Sequence, residues 1–353
     1  MIDMNEININ SIFAAFKRSG KKHILITGKK GSGKTTLARA LAGADPAGFE
    51  SNAVPHKEVV LCNRLTGEKG IIGIYSKDLG RMAPQISGFE VGIKAIKDAI
   101  DYDGSVLLDE IGYLENGAWD FQRAISCLMD ERSVVLTVRK EKTDFIKSLL
   151  RREDVFVLDV DVLGGDIGCV IMASGYSRRF GSNKLLCNFG DKKLIERAFM
   201  ATDGVFSRRV VVTRYKEIAD ICRREGVECV LHDLPDRSDT IRLGVREMEG
   251  VKGCMFCPSD QPLLSRSSVL GLADSFLLQN QKIWRLGHRG EVGMPVIFPE
   301  KLYSELCELN EGGGSAVIKK HPDMVCFYEA YKKEELIDAD TPEELEKMQK
   351  QYM

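Results

Sequence analysis

A glycine-rich segment, Gly28–Thr36, carries the residue types that phosphate binding requires. It reads GKKGSGKTT and follows the apolar run HILIT directly. Glycines let the backbone curl so that N–H groups point at phosphate oxygens, and a following helix N-terminus adds partial positive charge. A lysine at this spacing reaches the β- and γ-phosphates, and the next threonine binds Mg²⁺. We expect nucleotide contacts from Gly28, Gly31, Ser32, Gly33, Lys34, Thr35 and Thr36.

Two carboxylates, Asp109 and Glu110, follow a second apolar run, Ser105–Leu108. A buried strand that ends in acidic residues is the expected partner of a phosphate loop. Asp109 would hold Mg²⁺ through water, and Glu110 would orient or deprotonate the attacking water. Arg139 follows a third apolar run, where sensing of the γ-phosphate and an ordinary surface arginine are equally consistent with the sequence.

The second half of the chain contains another candidate phosphate site in the stretch VIMASGYSRRFGSNKLL, residues 170–186. An apolar run ends in the small residues Ala173, Ser174 and Gly175, which allow backbone N–H groups to approach a phosphate. Arg179 and Lys184 follow and supply positive charge. Open α/β sheets bind ligands beyond the carboxyl ends of their strands, so the position of this loop also favours a site.

Alternating strand and helix patterns surround these loops and predict α/β architecture with parallel sheets. In the first half we expect a hairpin with strands at Val59–Cys62 and Ile71–Tyr75, and a helix at Phe89–Ile100. The segment Asp161–Asp166 has the composition of a short linker. The sequence therefore predicts two three-layer α/β domains, at residues 1–162 and 167–353.

The first domain resembles the small P-loop nucleoside-triphosphatases, the family also called cancer-related nucleoside-triphosphatase. The resemblance covers most of residues 22–160 and rests on Gly28–Thr36, the Leu-Thr-Gly-Glu turn of the hairpin, Asp109–Gly112 and the Thr-Val-Arg-Lys strand end. Arg139 stands where that family often has a histidine, and the residues after Gly112 also depart from the pattern. The resemblance implies hydrolysis of ATP or GTP with broad specificity. Kinase activity stays open, since small-molecule kinases share the fold.

The second domain resembles the molybdenum cofactor nucleotidyltransferases, and among them the cytidylyltransferases, whose signature is similar to residues 173–186. Further similarity lies in PSDQP (258–262), GEVGMPVIF (290–298) and IDADTPEEL (337–345). The resemblance implies a Rossmann-like domain in which Arg179, Lys184 and Asp260 are catalytic, and Asp260 and Asp340 hold Mg²⁺. It also implies nucleotide contacts from Ala173, Ser174, Gly175 and Ser238.

Some of these matches have a structural interpretation as well. The segment around Ser238 is equally consistent with a helix N-cap, and Thr341 followed by Pro342 is typical of a helix start. Asp236 stands where the family commonly has glycine, and Met294 where it has asparagine or histidine. Both departures leave the activity of this half open.

The combined prediction is a bifunctional enzyme. The first domain would hydrolyse ATP or GTP, and the second would transfer CMP from CTP to molybdopterin and release pyrophosphate. The alternatives are a sugar-phosphate nucleotidyltransferase and a cofactor-delivery chaperone powered by the P-loop domain. Through the resemblance alone, a molybdenum hydroxylase apoenzyme is an expected partner.

Composition narrows the class of protein. The 353 residues carry a net charge of -2, which gives no general electrostatic basis for binding nucleic acid or an anionic membrane. No apolar run is long enough to span a bilayer, and the polar N-terminus is unlike a signal peptide. Ten scattered cysteines favour free thiols in a reducing cytoplasm. The Cys254–Cys257 pair lies in an apolar run, which favours a buried strand over a zinc site.

Overall fold

The computed structural model describes residues 9–141, 143–165, 167–310 and 312–353. The chain divides into two compact units, Met1–Asp161 and Val162–Met353, each with its own sheet. We propose that these units correspond to the two domains predicted at 1–162 and 167–353. In the part of the chain that is described, no helix has the length and apolar character needed to cross a membrane.

The first unit is built on a mixed sheet in which eight described strands run in the order β5-β4-β3-β2-β6-β7-β1-β8. In chain order these strands are β1 (His23–Thr27), β2 (Ala47–Val54), β3 (Glu58–Asn63), β4 (Lys69–Ser76), β5 (Arg81–Pro84), β6 (Val106–Ile111), β7 (Val135–Val138) and β8 (Val155–Asp159). Strands β2, β6, β7, β1 and β8 are parallel to their neighbours within this group. Strands β3, β4 and β5 extend the sheet in antiparallel fashion from β2.

Helices cover both faces of this sheet. They are α1 (Ile9–Ser19), α2 (Lys34–Ala42), α3 (Phe89–Ile100), α4 (Trp119–Glu131) and α5 (Asp144–Leu150); the single turn α6 (Val160–Leu163) follows β8 at the boundary of the two units. All five residues of β1 are buried, as expected for a parallel strand between two helical layers. The main core contains a cluster of three aromatic residues. The ring centroids of Phe49 and Phe89 lie 5.3 Å and 4.9 Å from that of Phe121.

The predicted hairpin and the Phe89–Ile100 helix are present at β3–β4 and α3. Strands β2 and β5 were not predicted, because AGFESNAV mixes polar residues with glycine and RMAP is short. The first residues of the predicted linker, 161–163, belong to the turn α6, and Asp166 lies outside the described residues. Helix α1 is described from Ile9 onward.

The second unit has a sheet of seven described strands in the order β13-β12-β9-β14-β16-β15-β17. Its strands are β9 (Ile167–Ala173), β12 (Arg208–Thr213), β13 (Glu228–Leu231), β14 (Gly253–Pro258), β15 (Ile283–His288), β16 (Glu291–Pro299) and β17 (Val325–Glu329), and a separate two-stranded pair is formed by β10 (Asn188–Phe189) and β11 (Lys192–Lys193). Strands β13, β12, β9 and β14 are parallel, whereas β16 is antiparallel to both β14 and β15.

The helices of this unit are α7 (Leu194–Thr202), α8 (Lys216–Glu225), α9 (Arg237–Arg246), α10 (Arg266–Leu278), α11 (Tyr303–Cys307), α12 (Ser315–Lys320) and α13 (Pro342–Tyr352). Alternate residues of β9 enter two separate cores: Cys169 and Ile171 enter one and Val170 the other. The sheet is thus covered on both faces, and the three-layer α/β architecture predicted for both halves is confirmed.

Candidate active sites

The phosphate loop of the first unit connects β1 to α2. Gly31 and Gly33 have φ angles of 78° and 95°, a left-handed conformation that favours glycine. The Lys34 ammonium is buried and donates hydrogen bonds to the carbonyl oxygens of Gly28 (2.9 Å) and Lys29 (2.8 Å). Burial lowers the pKa of Lys34. The Lys34 side chain therefore lies against the backbone of the loop, where the sequence pattern places the phosphates.

The remaining loop residues differ in their surroundings. The Ser32 hydroxyl is buried and has no hydrogen-bond partner among the described residues, whereas Thr36 is exposed in the first turn of α2. Both stay predicted nucleotide contacts.

Thr35 and Asp109 meet at the carboxyl ends of the central strands. The Thr35 hydroxyl donates to Asp109 Oδ1 at 3.2 Å, and the Thr137 hydroxyl donates to the same oxygen at 2.7 Å. Burial raises the pKa of Asp109, and the two hydroxyl donors oppose that rise. A hydroxyl beside a carboxylate fits Mg²⁺, which takes few protein ligands and completes its shell with phosphates and water.

Glu110 occupies an irregular position of β6. The pairing of β6 with β7 shifts register between Leu108 and Ile111, and Glu110 has a φ of 75°. Such bulges redirect side chains, and this one is held by a 2.7 Å hydrogen bond from the Glu110 N–H to the Thr137 hydroxyl. Arg139 forms an ion pair with Glu110 at 2.6 Å and a hydrogen bond from its Nε at 2.7 Å. Arg139 is therefore half-buried against the candidate catalytic carboxylate.

The second unit has a cleft of about 460 Å³ at the carboxyl ends of β9 and β14. The chain winds outward from β9 to β12 and β13, then returns to β14 on the other side of β9. This switch in strand order is the place where open α/β sheets bind ligands. All four predicted catalytic or metal-binding side chains of this unit line the cleft. They are Arg179 and Lys184 after β9, Asp260 after β14, and Asp340 just before α13.

Lys184 is the centre of this group. Its Nζ lies 2.8 Å from Asp260 Oδ2 and 3.2 Å from Asp340 Oδ1, and it donates to the Ala339 carbonyl at 3.0 Å. Burial favours the neutral amine, but the carboxylates of Asp260 and Asp340 outweigh it, so the pKa of Lys184 is raised. Arg179 contacts the other oxygen of Asp340 at 3.0 Å.

The carboxylates of Asp260 and Asp340 both lie within reach of one ammonium, which places them close enough to share a cation. Within the described ranges, no group of three or more His, Cys, Asp or Glu side chains is arranged to hold a metal ion. The pair of carboxylates suits Mg²⁺, which binds through one or two carboxylates together with substrate phosphates. Asp338 lies nearby and accepts a hydrogen bond from Gln261 at 2.9 Å; burial, and then Asp260, raises the pKa of Asp338.

The small-residue loop after β9 is fixed by side chains from β12 and beyond. The Ser174 hydroxyl donates to the Val212 carbonyl at 3.0 Å and lies 2.8 Å from His232 Nε2. The Thr213 hydroxyl donates to the Ala173 carbonyl at 2.8 Å, and the Tyr215 hydroxyl donates to that of Gly175 at 2.7 Å. The loop is thus tied to the sheet through its carbonyls and the serine hydroxyl.

Arg214 was missed in the sequence analysis, although it directly follows β12 at the carboxyl end of that strand, on the ligand side. Its Nε donates to the Ser174 carbonyl at 2.8 Å, and a terminal nitrogen donates to the Leu234 carbonyl at 2.7 Å. Its guanidinium lies 3.8 Å from the centroid of the Tyr176 ring. Arg214 therefore joins two cleft loops and an aromatic wall.

Ser238 does not line the cleft. It is buried in the first turn of α9, and its hydroxyl donates to the Asn310 carbonyl at 3.3 Å. Asp236 precedes this helix as its N-cap residue, and its N–H donates to Asp239 Oδ2 at 3.0 Å. The N-cap interpretation of this segment therefore describes the contacts that are present, and nucleotide binding by Ser238 stays a prediction.

The other two uncertain motifs also have structural roles. Met294 is half-buried and packs against the core of the second unit. Thr341 caps α13: its hydroxyl accepts from the Glu344 N–H at 3.1 Å, and Glu344 accepts from the Thr341 N–H at 3.0 Å. This cap places Asp340 just before the N-terminus of α13, so the structural and the functional interpretations of the motif are compatible.

The first unit has a P-loop between β1 and α2, and the second unit is a Rossmann-like arrangement of strands and helices. Comparison with known proteins finds one family match in each half of the chain. The NTPase family model matches residues 23–164, and the model of the MobA-like NTP transferase domain matches residues 169–325. The resemblances of the first half to the nucleoside-triphosphatases and of the second half to the nucleotidyltransferases are confirmed.

Individual relatives each match one half of the chain. The nucleoside-triphosphatase THEP1 of Thermotoga maritima is 27% identical over 151 residues, which cover 39% of this chain and 86% of the relative. A probable molybdenum cofactor guanylyltransferase of Aquifex aeolicus is 28% identical over 109 residues, 31% of this chain and 53% of the relative. A solved nucleotidyl transferase of Methanothermobacter is 22% identical with a TM-score of 0.45, covering 52% of this chain and 96% of its own.

Proposed function

We propose that the first unit hydrolyses nucleoside triphosphates, with ATP or GTP as substrate. Lys34 and the amide-lined glycine loop would bind the phosphates, and Glu110 would orient the attacking water. Thr35 and Asp109 would hold Mg²⁺, which neutralises charge on the phosphates when it is bound. The proposal rests on the contact of Thr35 with Asp109, because it brings the loop and the acidic strand end together.

We propose that the second unit transfers a nucleotidyl group to the terminal phosphate of molybdopterin. An oxygen of that phosphate attacks the α-phosphorus of the nucleoside triphosphate, and pyrophosphate leaves in line. Arg179 and Lys184 stabilise the charge that builds up on the phosphates, and Asp260 and Asp340 are the residues that would hold Mg²⁺. The single observation that carries this proposal is the contact of Lys184 with both carboxylates in one cleft.

The nucleotide we propose for this unit is CTP. The loop Ala173-Ser174-Gly175 is closer to the cytidylyltransferase signature than to the paired glycines of guanylyltransferases. GTP is the second candidate, because the Aquifex aeolicus relative is named a guanylyltransferase. Delivery of the product to a molybdenum hydroxylase stays a prediction from the sequence resemblance.

The test is pyrophosphate release by the full-length protein given Mg²⁺, molybdopterin and either CTP or GTP. We expect release with CTP, its loss in Asp260→Asn, and its retention in Lys34→Ala. Nucleoside-triphosphate hydrolysis should show the opposite pattern: lost in Lys34→Ala and retained in Asp260→Asn.

Other outcomes point elsewhere. A preference for GTP would overturn the assignment of the base alone. Pyrophosphate release with a sugar 1-phosphate and none with molybdopterin would instead indicate a sugar-phosphate nucleotidyltransferase. Molybdopterin binding without pyrophosphate release from either nucleotide would indicate a cofactor carrier.

A further inference from the structure

A cavity of about 260 Å³ lies beside the phosphate loop of the first unit. Its floor is formed by residues of β2, β3 and β4, including Ser51, Val59 and Ile72. Its wall toward the phosphate loop contains Lys30, Glu110 and Arg139. In the sheet, β2–β4 lie on the opposite side of β6 from β1 and β8. The cavity therefore extends from Glu110 toward β2–β4 and away from β8.

Ser51 indicates that this cavity is built to hold a molecule. The residue is only 9% exposed, lines the cavity, and its hydroxyl is a buried group with no hydrogen-bond partner among the described residues. Buried polar groups are nearly always paired, and an unpaired one costs roughly 1–3 kcal/mol. A ligand with a polar group at this point would satisfy the hydroxyl.

The side walls are aromatic. His56 and Tyr75 line one part with ring centroids 4.9 Å apart and planes at 82°, and Tyr113 lines another with the Arg81 guanidinium 5.5 Å from its centroid. Aromatic walls with a few polar groups are typical of sites for flat heterocycles. The volume is slightly below the usual range of roughly 300–1,000 Å³, so the molecule must be compact.

Hydrolysis has no use for such a cavity, since the attacking water needs only the end of the phosphate chain. An acceptor alcohol held here would place its hydroxyl beside Glu110, the position that water takes in hydrolysis. The shared wall of Lys30, Glu110 and Arg139 supplies the charge needed at that position.

We propose that the first unit also transfers the γ-phosphate of its nucleoside triphosphate to a nucleoside bound in this cavity. A nucleoside combines a flat heterocycle with a primary hydroxyl in a compact molecule. The hydroxyl oxygen forms a bond to the γ-phosphorus, the bond from that phosphorus to the β,γ-bridging oxygen breaks, and the nucleoside diphosphate leaves. The hydroxyl proton passes to the Glu110 carboxylate and then to solvent. This inference rests on the proposed use of nucleoside triphosphates by the first unit.

The experiment gives the full-length protein Mg²⁺ and ATP labelled on the γ-phosphate, with adenosine, guanosine, cytidine or uridine as probe. Chromatography separates labelled inorganic phosphate from labelled nucleoside monophosphate. We expect a monophosphate from at least one of the four probes. Labelled inorganic phosphate without any labelled nucleoside overturns this inference alone, whereas the absence of both products overturns the proposed hydrolysis itself.

Two variants of β2 locate the site. Ser51→Val removes the cavity hydroxyl while keeping a residue that suits a strand, and we expect the KM for the nucleoside to rise about tenfold, as for one lost hydrogen bond. Asn52→Val changes the adjacent exposed residue of the same strand and should leave the KM unchanged. Equal effects of the two variants, or none from Ser51→Val in a protein with unaltered circular dichroism, would place the acceptor elsewhere.

Discussion

The Nζ atom of Lys184 lies 2.8 Å from Oδ2 of Asp260, and this contact joins the loop after β9 to the end of β14. The same ammonium reaches Asp340 at the start of α13, so three distant segments meet at one charge. A phosphate that enters the cleft would compete with these carboxylates for Lys184. We therefore expect removal of this charge to impair transfer.

Lys184→Met tests this expectation. Methionine keeps the length of the side chain but removes the positive charge, so we expect nucleotidyl transfer to fall by about 10²–10³, the usual cost of one stabilising donor. Pyrophosphate release measures the effect. The control is Lys216→Met on the exposed face of α8, which should leave transfer unchanged. A Lys184→Met enzyme with wild-type transfer would remove Lys184 from the mechanism.

Glu110→Gln tests the carboxylate of the first unit. The amide keeps the size of the side chain and can still accept a hydrogen bond from Arg139, but it cannot take a proton from water. We expect nucleoside-triphosphate hydrolysis to fall by roughly 10²–10⁴, the range of general-base catalysis. Release of inorganic phosphate measures this, and the exposed Glu131→Gln is the matched control. A loss below threefold would assign the role of Glu110 to another group.

Glu115 makes the stability of the first unit depend on pH. The residue is 2% exposed, its carboxylate accepts a hydrogen bond from the Gly112 N–H at 2.7 Å, and burial raises its pKa from 4.5 to about 7. The pKa of Glu115 is higher in the folded protein than in the unfolded chain. Its contribution to the stability of the folded state is therefore complete below pH 4.5 and is lost as pH rises through 7. The loss is about 3 kcal/mol by pH 8.

Glu115→Gln should remove this dependence, because the amide has no proton to lose at neutral pH. Hydrogen-exchange protection of the β6 amides at pH 5 and pH 8 measures it in the intact chain. We expect wild-type protection to fall between the two values and the variant to change little. The exposed Glu153→Gln should behave as wild type. A flat wild-type profile would show that Glu115 titrates normally.

The sequence predicted most of the elements that carry the two sites. Parallel strands such as β1 and β9 are continuous apolar runs, and the loops that follow them contain glycine and lysine at fixed spacing. Local patterns of this kind are enough to place Lys34, Thr35 and Lys184. The shared role of Lys184 and Asp260 was implied by the resemblance to the nucleotidyltransferases, and the structure brings the two side chains into contact.

Features that arise from non-local packing were not predicted. β2 mixes apolar and polar residues without clear alternation, and it becomes a strand because it pairs with β6 on one side and β3 on the other. The burial of Ser51 and Glu115 could not be predicted from the sequence, because it arises only when β2–β4 and the turn after β6 enclose a cavity. Arg214 likewise donates hydrogen bonds to carbonyl oxygens of two loops, at Ser174 and Leu234, that are far apart in the sequence and share no motif.

Arg214→Lys tests whether the geometry of the cleft loops matters for binding. The guanidinium donates from different nitrogens to the Ser174 and Leu234 carbonyls while it stacks on Tyr176, and a lysine ammonium cannot reproduce that planar arrangement. Lysine keeps the positive charge, so a change in the kinetic constants would report on the position of the two loops. We expect the KM for the nucleotide to rise about tenfold, as for the loss of one to two hydrogen bonds, with a smaller change in kcat. Arg224→Lys on the exposed side of α8 is the control. A fall in kcat at constant KM would instead mean that Arg214 acts on the reacting phosphates, and an unchanged enzyme would mean that the loops hold their positions without it.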